Sequence, residues 1–306
     1  MVETSAGATP PEPTPARGGA PGARRQHGAG LRDLSTWGDW AALVGLVVLV
    51  VVFQSLNSTF LSTGNIQSML VASAILIVLG IGQTFVVATA GIDLSVASTM
   101  TLSAVVFGIL FVGGHGLALA AVAAVMTGGA VGLCNGLLVS RGGITDFIVT
   151  LGTLSAASGL ALILSNGKPA TIISAPLLRL STGSVGVLGY SVVVALALAG
   201  LAHVVLFHTR FGTHVLATGG NPEAANATGV RTGRVKTGVY VVSGLLAGVG
   251  AILLVARVGA AEPAANTAFL LNSVAAVVLG GVSLFGGRAT IIGPVIGALL
   301  LTALVN

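Results

Sequence analysis

Residues 66–112 read IQSMLVASAILIVLGIGQTFVVATAGIDLSVASTMTLSAVVFGILFV, and the fold turns on how this stretch is divided. It is much longer than the roughly 20 apolar residues a helix needs to cross a bilayer. One polar element interrupts it, Ala90-Gly91-Ile92-Asp93-Leu94-Ser95-Val96. A carboxylate at mid-bilayer costs about 2.5 to 3.5 kcal/mol on insertion scales, so Asp93 must be paired, capping or wet. Followed by Leu-Ser-Val, Asp93 has the form of an N-cap that accepts from free backbone N–H groups. Two readings stay open. One is a plain inter-helix turn with a capping Asp. The other is a broken helix beside a path through the membrane, with Gly91, Asp93 and Ser95 on that path.

A second interruption echoes the first: Gly281-Val282-Ser283-Leu284 parallels Gly91-Ile92-Asp93-Leu94, and it continues Phe285-Gly286-Gly287-Arg288. Gly-interrupted apolar segments at matching places in two halves point to an internal repeat, which adds Gly281 and Ser283 to the candidate path. The rest of the chain has the same apolar character. Of 306 residues 54% are hydrophobic, 45 more are Gly and only 7% are charged. A soluble domain carries roughly 25% charge, so lipid must be the solvent for much of this one.

From Trp40 onward apolar runs mark spans at 40–55, 66–89, 94–112, 117–139, 147–165, 185–207, 238–256, 269–284 and 289–305. The expected fold is all-α and polytopic, with about nine transmembrane helices in a domain covering 38–306. Residues 1–37, rich in Pro, Ala, Gly, Thr and Ser without apolar periodicity, read as a disordered cytoplasmic tail. With that tail inside and nine crossings, Arg17, Arg24, Arg25, Arg32, Arg141, Arg210, Arg231, Arg234, Lys236 and Arg288 fall inside. Lys168, Arg179 and Arg257 fall outside, a split of ten to three that obeys the positive-inside rule. Making 66–112 a re-entrant hairpin would reduce the split to seven to six. The net charge of +5 is thereby explained by loops, and no long basic face points to a nucleic-acid partner.

The longest polar connection, residues 208–237, holds Gly220-Asn221-Pro222-Glu223-Ala224-Ala225 and then Gly229. Asn221 suits the cap of a short helix and Pro222 its first position. Such a helix on the cytoplasmic side, flanked by Arg and Lys, is either an ordered connector or a docking element. Gly128, Gly132 and Gly136 recur every four residues, as do Gly244 with Gly248 and Gly293 with Gly297, which lets helix backbones approach closely. His203, His208 and His214 match no zinc spacing, and the single Cys134 forms no intrachain disulfide. Gly167-Lys168-Pro169 is not a Walker A loop, and no catalytic constellation is present, so no enzyme activity, metal or cofactor is expected.

Taken in order, Phe60-Leu61-Ser62-Thr63-Gly64-Asn65-Ile66, Gly91-Ile92-Asp93-Leu94-Ser95-Val96, Asn135-Gly136-Leu137-Leu138-Val139, Phe147-Ile148-Val149-Thr150-Leu151-Gly152-Thr153, Gly220-Asn221-Pro222-Glu223-Ala224-Ala225 and Ala275-Ala276-Val277-Val278-Leu279-Gly280-Gly281 resemble the permease subunits of bacterial ribose/xylose-type ATP-binding-cassette sugar importers. The resemblance covers 60–306. It implies a homodimer of permeases in the cytoplasmic membrane, two cytoplasmic ATPase subunits that hydrolyse the ATP, and an extracytoplasmic sugar-binding protein. It also implies that Gly220 to Ala225 and Gly229 contact the ATPase, and Glu223-Ala224-Ala225 with Gly229 is similar to the first half of the broader EAA signature. Three departures stand out. Leu270-Leu271-Asn272-Ser273 replaces an acidic pattern, Ala97 replaces a Gly, and the family's usual tenth span would lie beyond Asn306. The competing reading is a secondary transporter of a small polar solute, for which Asp93 would be the ion-coupling carboxylate.

Overall fold

The computed structural model describes residues 34–264 and 267–306. Residues 1–33 of the expected tail lie outside them, and the first helix begins at Leu34, inside the 1–37 boundary. The helices are α1 (Leu34–Leu56), α2 (Thr63–Ala88), α3 (Val96–Val112), α4 (Leu117–Ser140), α5 (Asp146–Leu164), α6 (Ala175–Thr182), α7 (Tyr190–His208), α8 (Arg210–Gly220), α9 (Pro222–Ala227), α10 (Thr232–Val258), α11 (Thr267–Leu279) and α12 (Ile292–Val305). Four two-residue strands join the loops at one end, β1 (Ala170–Thr171) with β4 (Ala260–Ala261) and β2 (Ser184–Val185) with β3 (Leu188–Gly189). Among the described residues each of the nine expected spans is occupied by an apolar helix. α2, α4, α5, α7 and α10 are long and apolar enough to cross a membrane, whereas α3, α11, α12 and the part of α1 from Ala42 are shorter.

α2 and α10 form the centre. Most of α2 is buried, from Ser73 to Ala88 without a break. α4, α5 and α7 turn large apolar side chains outward, among them Met126, Ile148, Ile163 and Leu201. That inversion of the soluble pattern is what a lipid solvent selects. The glycine spacing acts as expected. α4 and α10 run antiparallel with backbones almost touching: a Cβ on Gly136 would lie 2.6 Å from Thr237 Cα, and one on Gly248 2.6 Å from Val125 Cα. Gly297 meets Ala276 in the same way across α11 and α12.

Several span ends differ from expectation, each for a local reason. α10 starts at Thr232 instead of 238, because its first turns carry Arg234 and Lys236 and are helical without being apolar. The run 185–207 loses its first residues to the β2–β3 hairpin, which turns at Gly186 (φ 64°), and α7 begins at Tyr190. α11 stops at Leu279 and not 284, since Gly281 takes a left-handed φ of 80°. The loop 208–237 contains α8 in addition to the expected short helix α9, and 166–184 contains α6.

Candidate coupling site and membrane breaks

The first break does not end at the membrane face. After Ala88 the chain turns at Ala90 (φ 58°) and climbs back along α2, so that Gln83 Nε2 donates to the Asp93 carbonyl at 2.6 Å. α3 therefore starts inside the bundle, alongside the last turns of α2 and not beyond its end. The positive φ is carried by Ala90, beside Gly91. Space at Gly91 is tight, since a Cβ there would lie 2.8 Å from Asp146 Oδ2, the movable end of a side chain, and 3.1 Å from Val86 Cγ1.

Asp93 is buried within this return loop, and its capping role needs correction. The N-cap of α3 is Ser95, whose own side chain makes no cap bond. Asp93 acts two residues upstream: Oδ1 accepts from the Ser95 N–H at 2.9 Å and the Ser95 hydroxyl at 2.6 Å. Oδ2 accepts from Ser243 Oγ of α10 at 2.9 Å. The network extends outward, with Asn135 Nδ2 of α4 donating to Ser95 Oγ at 2.8 Å and Thr153 Oγ1 of α5 to Asn135 Oδ1 at 2.6 Å. Tyr240 donates its hydroxyl to the Ile92 carbonyl at 3.1 Å. Five helices thus meet on one loop, and every carboxylate oxygen has a donor, the arrangement a buried charge requires. No water-sized space remains beside Asp93 and Ser95. Asn135 and Thr153 stand in the sequence motifs that carry the resemblance but have no role assigned there, and Gln83, Tyr240 and Ser243 are not singled out at all. Their signal is isolated polar residues within otherwise apolar spans.

The second break lies against the first. α11 and α12 have 13 and 14 residues, about 20 Å each and short of a roughly 30 Å core, so residues 280–291 cover the remainder as irregular backbone. Gly281 is exposed and Ser283 half-buried, and the loop is folded by Ser283 N donating to Arg288 O at 3.2 Å and Gly286 N to Ser283 O at 3.0 Å. Gly287 N donates to Ala88 O at 3.0 Å, and Val87 packs with Val277 and Val282. The two Gly-interrupted segments are therefore in contact. Below the first break, a cavity of about 440 Å³ opens between Ala90, Ile92, Asp146, Phe147 and Lys236.

The third element is the segment from α8 to α9. Thr209 caps α8 by accepting from Gly212 N–H, and Gly212, Val215, Thr218 and Gly219 form its buried face. Asn221 Oδ1 accepts from Ala224 N–H at 2.9 Å with Pro222 at the first position of α9, as the sequence predicts. Gly229 (φ 88°) closes α9, its N–H bonding Asn226 O at 2.9 Å while Val230 N–H bonds Ala225 O at 3.0 Å, the pattern of a Schellman motif. Ala225 is buried; Gly220, Asn221, Pro222, Glu223 and Ala224 are exposed. The result is a short helix fixed at both ends, with its acidic residue exposed.

Residues 65–306 match the family described as branched-chain amino acid transport system / permease component. The chain belongs to this family. It is 37% identical over 265 residues to the ribose import permease protein RbsC of Bacillus subtilis, covering 86% of this chain and 82% of that one. Against the L-arabinose ABC transporter permease protein AraH of Azospirillum brasilense it is 37% identical over 262 residues, 84% of this chain and 76% of the relative. Identity to the D-allose transport system permease protein AlsC of Escherichia coli is 34% over 272 residues, 88% and 83% of the two chains. No solved structure matches the chain. It is a multi-pass membrane permease, a transport component.

Proposed function

We propose that this chain is the membrane-spanning subunit of an ATP-binding-cassette importer that carries a monosaccharide or similar small polar solute inward across a bacterial cytoplasmic membrane. The observation that carries this reading is α9, an exposed helix capped at both ends, in a chain whose relatives are named as ribose, arabinose and allose permeases. In this reading Gly220 to Ala225 and Gly229 dock separate cytoplasmic ATPase subunits, which bind and hydrolyse the ATP. Two permease copies form the path, and an extracytoplasmic binding protein delivers the solute. The end bearing α8 and α9 faces the cytoplasm, together with Arg210, Arg231, Arg234 and Lys236, and the N-terminus lies on the same side.

Of the candidate path residues, Gly281 and Ser283 are the more accessible and would meet the solute. Gly91, Asp93 and Ser95 hold the loop that shapes the inner end of the path. An ion-coupled mechanism would need Asp93 to exchange protons or cations with water. Its enclosed carboxylate, with donors on both oxygens, favours the ATP-driven reading. The docking assignment is tested by Glu223→Lys. Reversing this exposed charge should lower co-purification of the ATPase and solute uptake together, with membrane insertion unchanged. Unaltered co-purification and uptake would remove α9 from the interface.

A further inference from the structure

Where α8 ends, three stretches of main chain come into direct contact. Gly219, in the last turn of α8, is buried so tightly that a Cβ would run into the Ala88 carbonyl oxygen and lie 2.6 Å from Gly287 N. Gly286 and Gly287 both adopt left-handed backbone, φ 77° and 74°, which other residues rarely take. A Cβ on Gly286 would stand 2.8 Å from both Ala90 N and Gly219 O, and one on Gly287 2.7 Å from Gly220 Cα. Gly287 N–H is itself hydrogen-bonded to Ala88 O. Ala88 and Ala90 flank the turn of the first break, Gly286 and Gly287 form the tip of the second, and Gly220 immediately precedes the cap of α9. One contact thus joins the docking segment to both interrupted helices.

We propose that Gly219, Gly220, Gly286 and Gly287 are positioning residues for transport, forming a junction through which displacement of α8 and α9 reaches both breaks at once. This rests on the reading of α8–α9 as the ATPase contact. Side chains at a packed interface can absorb a small shift by changing rotamer, and bare backbone in contact cannot. A movement of the docking segment must therefore move the loop that carries Asp93 and the loop that carries Ser283. Gly220 takes part through its backbone, since a Cβ of its own would meet only Gly287 Cα at 3.8 Å; the crowding falls on Gly219, Gly286 and Gly287.

The test is hydrogen exchange on the assembled wild-type permease–ATPase complex with and without ATP, followed at 219–225, 86–92 and 281–290. The junction predicts that ATP changes exchange at all three segments, by about twofold or more in rate. A change confined to 219–225 would overturn the junction while leaving the docking assignment standing. No change at 219–225 would overturn both. A second readout is Gly287→Ala in the full importer, with Gly159→Ala as control, since a Cβ on Gly159 meets nothing within 4 Å. Solute moved per ATP hydrolysed should fall about tenfold in Gly287→Ala with the ATPase still bound, as expected for a lost coupling factor. An unchanged ratio would contradict the proposal, and the wild-type exchange measurement decides the matter if Gly287→Ala does not assemble.

Discussion

Asp93 shows how this chain accommodates a carboxylate below the level of its helix ends. The side chain receives donors from Ser95 N, Ser95 Oγ and Ser243 Oγ, so removing it would strand three polar groups among α2, α3, α4 and α10. Hydrogen bonds to a charged group contribute about 1.5 to 3 kcal/mol each, and an orphaned buried donor costs about 1 to 3 kcal/mol. Asp93→Asn keeps an acceptor for Ser95, and its amide can donate to Ser243, so it should lose only the difference between charged and neutral bonds, about 1 kcal/mol for each. Asp93→Leu keeps none of these bonds and should lose several times more. Thermal unfolding in detergent, measured alongside uptake, checks the order. Equal and complete loss of uptake with normal stability in both variants would instead point to a carboxylate that exchanges protons.

At the scale of elements, the glycine-lined contact of α4 with α10 sets the core of the bundle. Without water between helices, association relies on close van der Waals approach, which small residues permit. Gly132→Leu would drive a side chain into the Tyr240 carbonyl, whereas Gly152→Leu enters open space. Overpacking costs about 1 to 3 kcal/mol and occasionally more, so the first should lower the unfolding temperature clearly and the second little. The sequence made such helices legible because apolar length and Gly spacing are local signals. It made the α9 cap legible for the same reason, since Asn221 and Pro222 bond within their own turn. It did not reveal α8, whose buried face of Gly212, Val215 and Gly219 is too small and mixed for an apolar window. Nor did it reveal the partners of Asp93. Ser243 lies 150 residues away, and only the fold brings it to the carboxylate.

At the scale of the whole molecule, the two interrupted segments share one end of the bundle with α8 and α9, while the 165–189 connection and its short strands lie elsewhere. Both breaks lie there and touch, and the one ion pair among the described residues, Lys236 with Asp146 at 3.9 Å, sits beside them. That pair is partly exposed and contributes little to stability. From the cations at this end we propose that it faces the cytoplasm. In a Cys134→Ala background, cysteines replacing the exposed Arg141 and Arg234 should resist an impermeant thiol reagent in intact cells. One replacing Lys168 should react. Labelling at position 234 from outside would invert the arrangement and remove α8–α9 from the cytoplasm.

Solute movement through this chain is proposed to be driven by ATP through a docked partner. Uptake into proteoliposomes containing the permease and its ATPase, with the binding protein outside, tests it most directly. Uptake should require ATP inside and be unaffected when an uncoupler collapses the proton gradient. Uptake by the permease alone, sustained by an ion gradient without ATP, would contradict it.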